Sequence, residues 1–300
     1  MSLSLNQGLG GAGLADPNVG LGGAGLQLPA ADGGVVAVDQ WEQKDFQGNP
    51  ETVGGGVRMD VFWKADGLRV WSVRDSSNRC DQHDVSPAWS IQSGDWTNRV
   101  SDAVNFIDPR GLWISPDGTR LMNNMGSGQF RASTMSTPFD LSTVGVFSNT
   151  NMGTNHLDHY WSNDGTRLWM YFISGVPNTI REYAVATPFD VSTIVPNPFT
   201  DVARFDLTPD IAGIRSFQFN TDGTILYAIG TTLSPGSLVQ WTLGTAFDIT
   251  TAGSFVQGIT VGTAGEMANP RGLVYRPTDG FLYAFRDQGS PQNVKLFGPP

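Results

Sequence analysis

Short apolar stretches flank an Asp-Gly pair at five places: DVFWKADGLRVWSV, GLWISPDGTRLMNNM, HYWSNDGTRLWMYF, FQFNTDGTILYAI and LVYRPTDGFLYAF. The pairs are Asp66-Gly67, Asp117-Gly118, Asp164-Gly165, Asp222-Gly223 and Asp279-Gly280, with glycines 51, 47, 58 and 57 residues apart. Asp-Gly between such stretches is the strongest short-range hairpin signal, because a tight primed turn needs positive φ at its centre. Each unit is therefore expected to open with a β-hairpin.

A second signature follows the three middle hairpins: TPFDLST at 137–143, TPFDVST at 187–193 and TAFDITT at 245–251. Phe139, Phe189 and Phe247 stand 21, 24 and 24 residues after their turn glycines, and the first unit has a degenerate SPAWSIQ with Trp89 at 22. The unit reads as hairpin, third strand, Phe-Asp corner, fourth strand. The Phe is expected to pack between units and the Asp to cap the corner. Four strands in about 50 residues, with no long amphipathic helix, make the blade of a β-propeller.

After Asp279-Gly280 the chain has FLYAFRD and NVKLFGPP but no corner and no fourth strand. The segment GGVVAVDQWEQKDF at 33–46 is strand-like and belongs to no other unit. If it supplies the outer strand of the last blade, ring closure removes the exposed edge. The expected fold is all-β: a propeller of five four-stranded blades over 35–300, closed by an N-terminal strand.

Residues 1–34 have a different pattern. GLGGAGL occupies 8–14 and returns unchanged at 20–26. Glycine adds chain entropy and no side chain to bury, so this segment cannot build a core alone. It reads as an extended tail that orders on a partner, with Leu9, Leu14, Leu21 and Leu26 as its docking side chains.

Composition narrows the classes of function. The formal charge of −10 and the lack of a basic cluster argue against nucleic acid. No run approaches the roughly 18 apolar residues of a membrane span. The one cysteine, Cys80, rules out an internal disulfide framework. The start, MSLSLNQGLGG, lacks a basic region and an apolar core, so it does not read as a secretory signal and points to synthesis in a cytoplasm.

Candidate chemistry is sparse. Arg58, Arg110, Arg215 and Arg271 stand eight or nine residues before their turn glycines, with His156 and Leu157 there in the third unit. Recurrence at one blade position would gather these side chains at a channel mouth as an anion site; the alternative is that each arginine braces a blade through carbonyls or through Asp60, Asp108 or Asp158. His156 and His159 are three apart, which on a strand sends them to opposite faces and argues against a shared metal. SSNRCDQHD, with Cys80 and His83, reads as a solvated loop. No nucleophile elbow, phosphate loop or zinc-protease helix is present, so no catalytic residue, metal or cofactor is assigned. Trp63, Trp71, Trp113, Trp161 and Trp169 keep regular distances from the turns and read as packing between blades, while exposed members of Trp41, Trp89, Trp96 and Trp241 are candidates to stack on a sugar.

The repeated PRGLWISPDGTRL and TPFDLST units resemble propeller repeats of bacteriophage-encoded proteins and of some bacterial surface proteins, and the Gly-Leu-rich opening resembles N-terminal segments of phage structural proteins. The resemblance implies a non-enzymatic virion component, a capsid decoration or a tail or fibre appendage, present in multiple copies in a symmetric particle. Other virion proteins are then the partners of the tail, and a host-surface glycan is a partner of the propeller. A carbohydrate-binding adhesin is the alternative, and a propeller hydrolase a weaker one.

Overall fold

The computed structural model describes residues 42–44, 58–74, 78–90, 100–102, 106–153, 155–173, 178–195, 201–207, 213–231, 237–260, 270–286 and 294–298. The repeat at 1–34, with Leu9, Leu14, Leu21 and Leu26, lies outside them, as do Trp41 and Trp96. β1 (Glu42–Lys44) comes first in the chain. Blade I is β2 (Arg58–Trp63), β3 (Arg69–Arg74), β4 (Arg79–Asp84) and β5 (Val100–Asp102). Blade II is β6 (Pro109–Ile114), β7 (Arg120–Met125), β8 (Gln129–Thr134) and β9 (Ser148–Asn151).

Blade III is β10 (His156–Trp161), β11 (Arg167–Phe172) and β12 (Thr179–Val185), with its outer strand split into β13 (Ile194–Val195) and β14 (Ala203–Asp206), both paired to β12. Blade IV is β15 (Ile214–Phe219), β16 (Ile225–Gly230), β17 (Ser237–Leu243) and β18 (Ala252–Thr260). Blade V is β19 (Pro270–Arg276), β20 (Phe281–Arg286) and β21 (Val294–Gly298), completed by β1. Glu42, Gln43 and Lys44 pair antiparallel with Gly298, Phe297 and Leu296, so the two ends of the described chain share one blade, as the strand count requires.

Each blade buries its two faces against its neighbours. Five apolar clusters result, one per blade interface: Trp71 with Leu112 and Leu121 between I and II, Phe130 with Trp161 and Leu168 between II and III, and Trp169 with Phe217 and Phe219 between III and IV. Ile229 packs with Leu273 and Leu282 between IV and V, and Trp63 with Val274 and Tyr283 between V and I. A closed ring leaves no blade face to water.

The hairpin turns differ from the two-residue primed turn expected. Strands β2 and β3 are joined by five residues, and the Gly67 N–H donates to Lys64 O at 2.8 Å. Among the turn residues only the glycine has positive φ (+72° at Gly67, Gly118 and Gly223, +71° at Gly165). The Asp contributes its side chain instead, since Oδ1 of Asp66, Asp117, Asp164 and Asp222 accepts the N–H two residues on at 3.0–3.1 Å.

That glycine also receives the corner. Phe139, Phe189, Phe247 and Trp89 all have φ near +60°, and their N–H groups donate to the carbonyls of Gly118, Gly165, Gly223 and Gly67 at 2.7–3.0 Å. Their rings lie flat on those glycines, where a Cβ would sit 2.2–2.5 Å from ring carbons. In three blades the next residue, Asp140, Asp190 or Asp248, caps a 3-10 turn by accepting from the N–H of Ser142, Ser192 or Thr250 at 3.0 Å. The corner rings also meet the neighbouring blade: Trp71 lies 6.0 Å from Phe139, and Trp169 6.0 Å from Phe247.

Candidate functional site

All five innermost strands carry a bulge near their start, where one extra residue breaks the register. The extra residues are Met59, Arg110, Leu157, Arg215 and Arg271. Arg110, Arg215 and Arg271 are therefore equivalent, whereas Arg58 is in the paired row one step earlier, with His156, opposite Arg74. Counting back from the turn glycine merged the two rows because the blade V hairpin has one residue more before its glycine.

The four predicted arginines do not share one blade position. Arg110 Nη2 pairs with Asp108 Oδ1 at 2.6 Å, and its guanidinium covers Gly126, where a Cβ would lie 2.8 Å from Nε. It is folded over the turn of its own blade. Arg215 lies beside Tyr171 of blade III, whose hydroxyl donates to Asn178 Oδ1 at 2.7 Å and is pushed up to about 12 by burial, with the Arg215 charge opposing. Arg271 is half-buried, and the Arg58 side chain lies outside the described residues. His156 is fully buried between the rings of Phe130 and Phe172, with centroids 6.4 and 5.7 Å away.

The residue after each bulge forms a more coherent set: Asp60, Gly111, Asp158, Ser216 and Gly272. Asp60 Oδ2 accepts from Leu112 N of blade II at 2.7 Å, and Asp158 Oδ2 from Phe217 N of blade IV at 2.9 Å. Ser216 Oγ accepts from Leu273 N of blade V at 3.0 Å. Each of these side chains holds the next blade by one backbone amide. Glycine has no such side chain, so the blades after Gly111 and Gly272 must satisfy the corresponding amide themselves. They do so through the second carboxylate oxygen: His159 N donates to Asp158 Oδ1 and Val61 N to Asp60 Oδ1, both at 2.8 Å. A Cβ on Gly111 or Gly272 would stand 3.3 Å from Asp158 Oδ1 or Asp60 Oδ1, so glycine also makes the room these carboxylates occupy.

Asp60 and Asp158 are thus structural acceptors and not the arginine partners expected. Burial holds Asp60 well above the ordinary carboxylate range, and the Asp158 charge pushes it the same way. Burial raises Asp158 to about 6, against the downward pull of its hydrogen bonds from Ser216, Phe217 and His159.

The bulge also overturns the opposite-face argument for the histidines. With one residue inserted between them, His156 and His159 both reach Phe130, and His159 Nδ1 lies 2.9 Å from Asn124 Oδ1. Burial lowers His159 to about 3, with the charge of His156 adding to the effect. Among the described residues no group of three His, Cys, Asp or Glu is placed to hold a metal ion.

RCDQHD is not a solvated loop. It is β4, buried over Cys80–His83. Its polar groups find partners across the sheet: Arg74 Nε and Arg79 Nε reach the two oxygens of Asp81 at 2.7 and 3.2 Å, and Gln82 Oε1 accepts from Trp71 Nε1 and from Leu141 N of blade II. Trp89 and Trp241 are buried as well, at 8% and 0% exposure, which removes both as sugar platforms.

One set of functional contacts escaped the sequence reading. Arg69 and Arg167, each two residues after a turn glycine, donate at 2.8 Å to the corner carbonyls of Phe139 and Phe247 in the next blade. Each is held by an acid of its blade's third strand, Asp84 or Glu182. Between blades V and I, the Tyr283 hydroxyl does the same for Trp89 O at 2.7 Å. The signal was the repeated DGLR and DGTR.

The strand pairing and the five interfaces define the class: a five-bladed β-propeller closed by an N-terminal strand. No family model and no curated protein matches the chain. Among solved structures, a Kuenenia stuttgartiensis hydrazine synthase chain is similar at 15% identity and TM-score 0.48, over 80% of this chain and 62% of that one. A functionally unknown protein from Desulfotomaculum acetoxidans is similar at 14% identity and TM-score 0.45, over 80% of this chain and 68% of that one. The chain spans less than two thirds of the hydrazine synthase chain.

Proposed function

We propose that the chain is a non-enzymatic virion structural protein, in which the segment at 1–34 docks on a larger particle and the propeller is the part displayed, in several symmetric copies. The observation that carries this reading is the twofold GLGGAGL, a segment with no means of burying itself, joined to a propeller that completes its own ring through β1. A domain that closes itself in this way leaves the preceding segment unneeded for the fold. The likeness of the PRGLWISPDGTRL and TPFDLST repeats to phage-encoded propellers supports placement on a virion. The residues that drew attention as chemistry, Arg110, His156, Asp60 and Asp158, have packing or hydrogen-bonding work in the blades.

Deleting residues 1–34 tests the docking. The truncated protein is expected to stay folded and to lose co-sedimentation with the particle; assembly at the level of the full chain would refute the reading. An adhesive role for the displayed propeller draws on one observation. Phe62, Trp113 and Tyr160, partly buried on consecutive innermost strands, meet edge to face at 5.2 and 4.8 Å, and binding of sugars by the full chain, lost on Trp113→Ala, is the result that would favour it.

A further inference from the structure

We infer that Asp60 and Asp158 form a proton-dependent latch that sets how tightly the innermost strands of blades I to IV are held together. Two observations carry this. Both carboxyl groups are buried, at 6% and 2% exposure, and each joins two blades by accepting two backbone amides, Val61 and Leu112 for Asp60, His159 and Phe217 for Asp158. Among the described residues, neither has a guanidinium or ammonium group as a hydrogen-bond partner. Both also bear on one stretch of β6: Asp60 takes the N–H of Leu112, while a Cβ built on the preceding Gly111 would stand 3.3 Å from Asp158 Oδ1.

Two buried like charges that feel one another repel, and removing one charge relieves the repulsion. Both carboxyls hold their last protons more tightly in the closed ring than in an opened one, as their upward shifts also indicate. The sign follows. A group whose folded value is raised contributes stability below its unfolded value near 4, and that contribution is lost as pH rises through the folded value. Acid tightens the latch and neutrality loosens it.

The titratable and charged groups on the innermost strands packed against the pair are Arg110 of β6, Arg215 of β15, Arg271, Tyr275 and Arg276 of β19, and His156, His159 and Tyr160 of β10. Arg110 is held by Asp108, and Arg215 lies beside Tyr171. His159 is held neutral, so its contribution weakens toward acid and opposes that of the carboxyls in any measurement of total stability. Comparison with variants that keep His159 isolates the latch.

Blade IV supplies the substitution, because Ser216 already holds the next blade without a titrating group. The test is hydrogen exchange of the Leu112 and Phe217 amides in the full chain at pH 5 and 7.5, corrected for intrinsic rates, in wild type and in the Asp60→Ser, Asp158→Ser double variant. Wild-type protection of Phe217 is expected to fall about tenfold between the two pH values, the factor transmitted by an Asp158 value near 6 against an ordinary carboxylate, and that of Leu112 to fall in the same direction, while the double variant stays level. Equal pH dependence in both proteins would overturn the latch. Should the double variant fail to fold, Asp158→Asn alone, which keeps one acceptor oxygen and loses the charge, is judged by the same comparison at Phe217.

Discussion

Gly118→Ala strikes the point where a hairpin and its corner interlock. Two penalties can be worked from the geometry. Gly118 has φ +72°, and placing an L-residue in the left-handed region costs about 1–2 kcal/mol. The new methyl would also lie 2.2 Å from Phe139 Cδ2, a distance no pair of carbons sustains. The ring must leave its place, and it is fixed on its other side by Trp71 at 6.0 Å and by its own N–H bond to Gly118 O. Overpacking of this kind adds about 1–3 kcal/mol.

The variant should therefore lose about 2–5 kcal/mol by chemical denaturation. The same substitution in a Phe139→Ala background removes the clash and keeps the backbone penalty, so its cost should shrink to about 1–2 kcal/mol. Equal costs in the two backgrounds would show that ring and glycine are not coupled. A single-variant loss under about 0.5 kcal/mol, the range of unremarkable surface changes, would show that the turn accepts a side chain.

Removing residues 35–47, which takes β1 with it, should lower the thermal midpoint by on the order of 10 °C, because β21 is then left as an unpaired edge; an unchanged midpoint would mean that blade V needs no fourth strand. Asp81→Asn leaves the buried Arg74 without its counter-charge and should cost about 3–5 kcal/mol by equilibrium unfolding, part of which Arg74→Met in the same chain should restore. His159 stays neutral in the fold until about pH 3, whereas an unfolded imidazole takes its proton near 6.5. Its share of stability is therefore lost as pH falls from 6.5 toward 3, and His159→Gln should flatten the acid limb of a midpoint-against-pH curve by one proton's worth.

The blades were legible because their signals are local. A glycine at positive φ, an aspartate that accepts the amide two residues on and a Phe-Asp corner each declare themselves within a few residues, the turn recurring five times and the corner three. What misled was non-local. RCDQHD looks like a loop because its polar groups find partners on other strands, Asp81 with Arg74 and Gln82 with Trp71 and Leu141. The face of His159 relative to His156 depends on a bulge, and a bulge leaves no mark in the pattern of side chains. Arg58 was grouped with Arg271 because one added residue before Gly280 mimics a shift of register. The pairing of Asp60 with Gly272 and of Asp158 with Gly111 is a relation between blades about 50 or more residues apart, visible only once the ring is closed.

The short antiparallel ladder between β1 and β21 imposes a schedule on synthesis. Its two strands are about 250 residues apart, yet the earlier one emerges from the ribosome before any blade exists. At roughly 5–20 residues per second, translation separates their appearance by on the order of 10–50 s. Blades I to IV can stack in order during that interval, each against the one before it, while the strand that seals the circle waits without its mate. Circularisation is then the last and slowest event, set by the longest loop in the molecule, and a nascent chain stalled before β21 carries an open crescent in place of a disc.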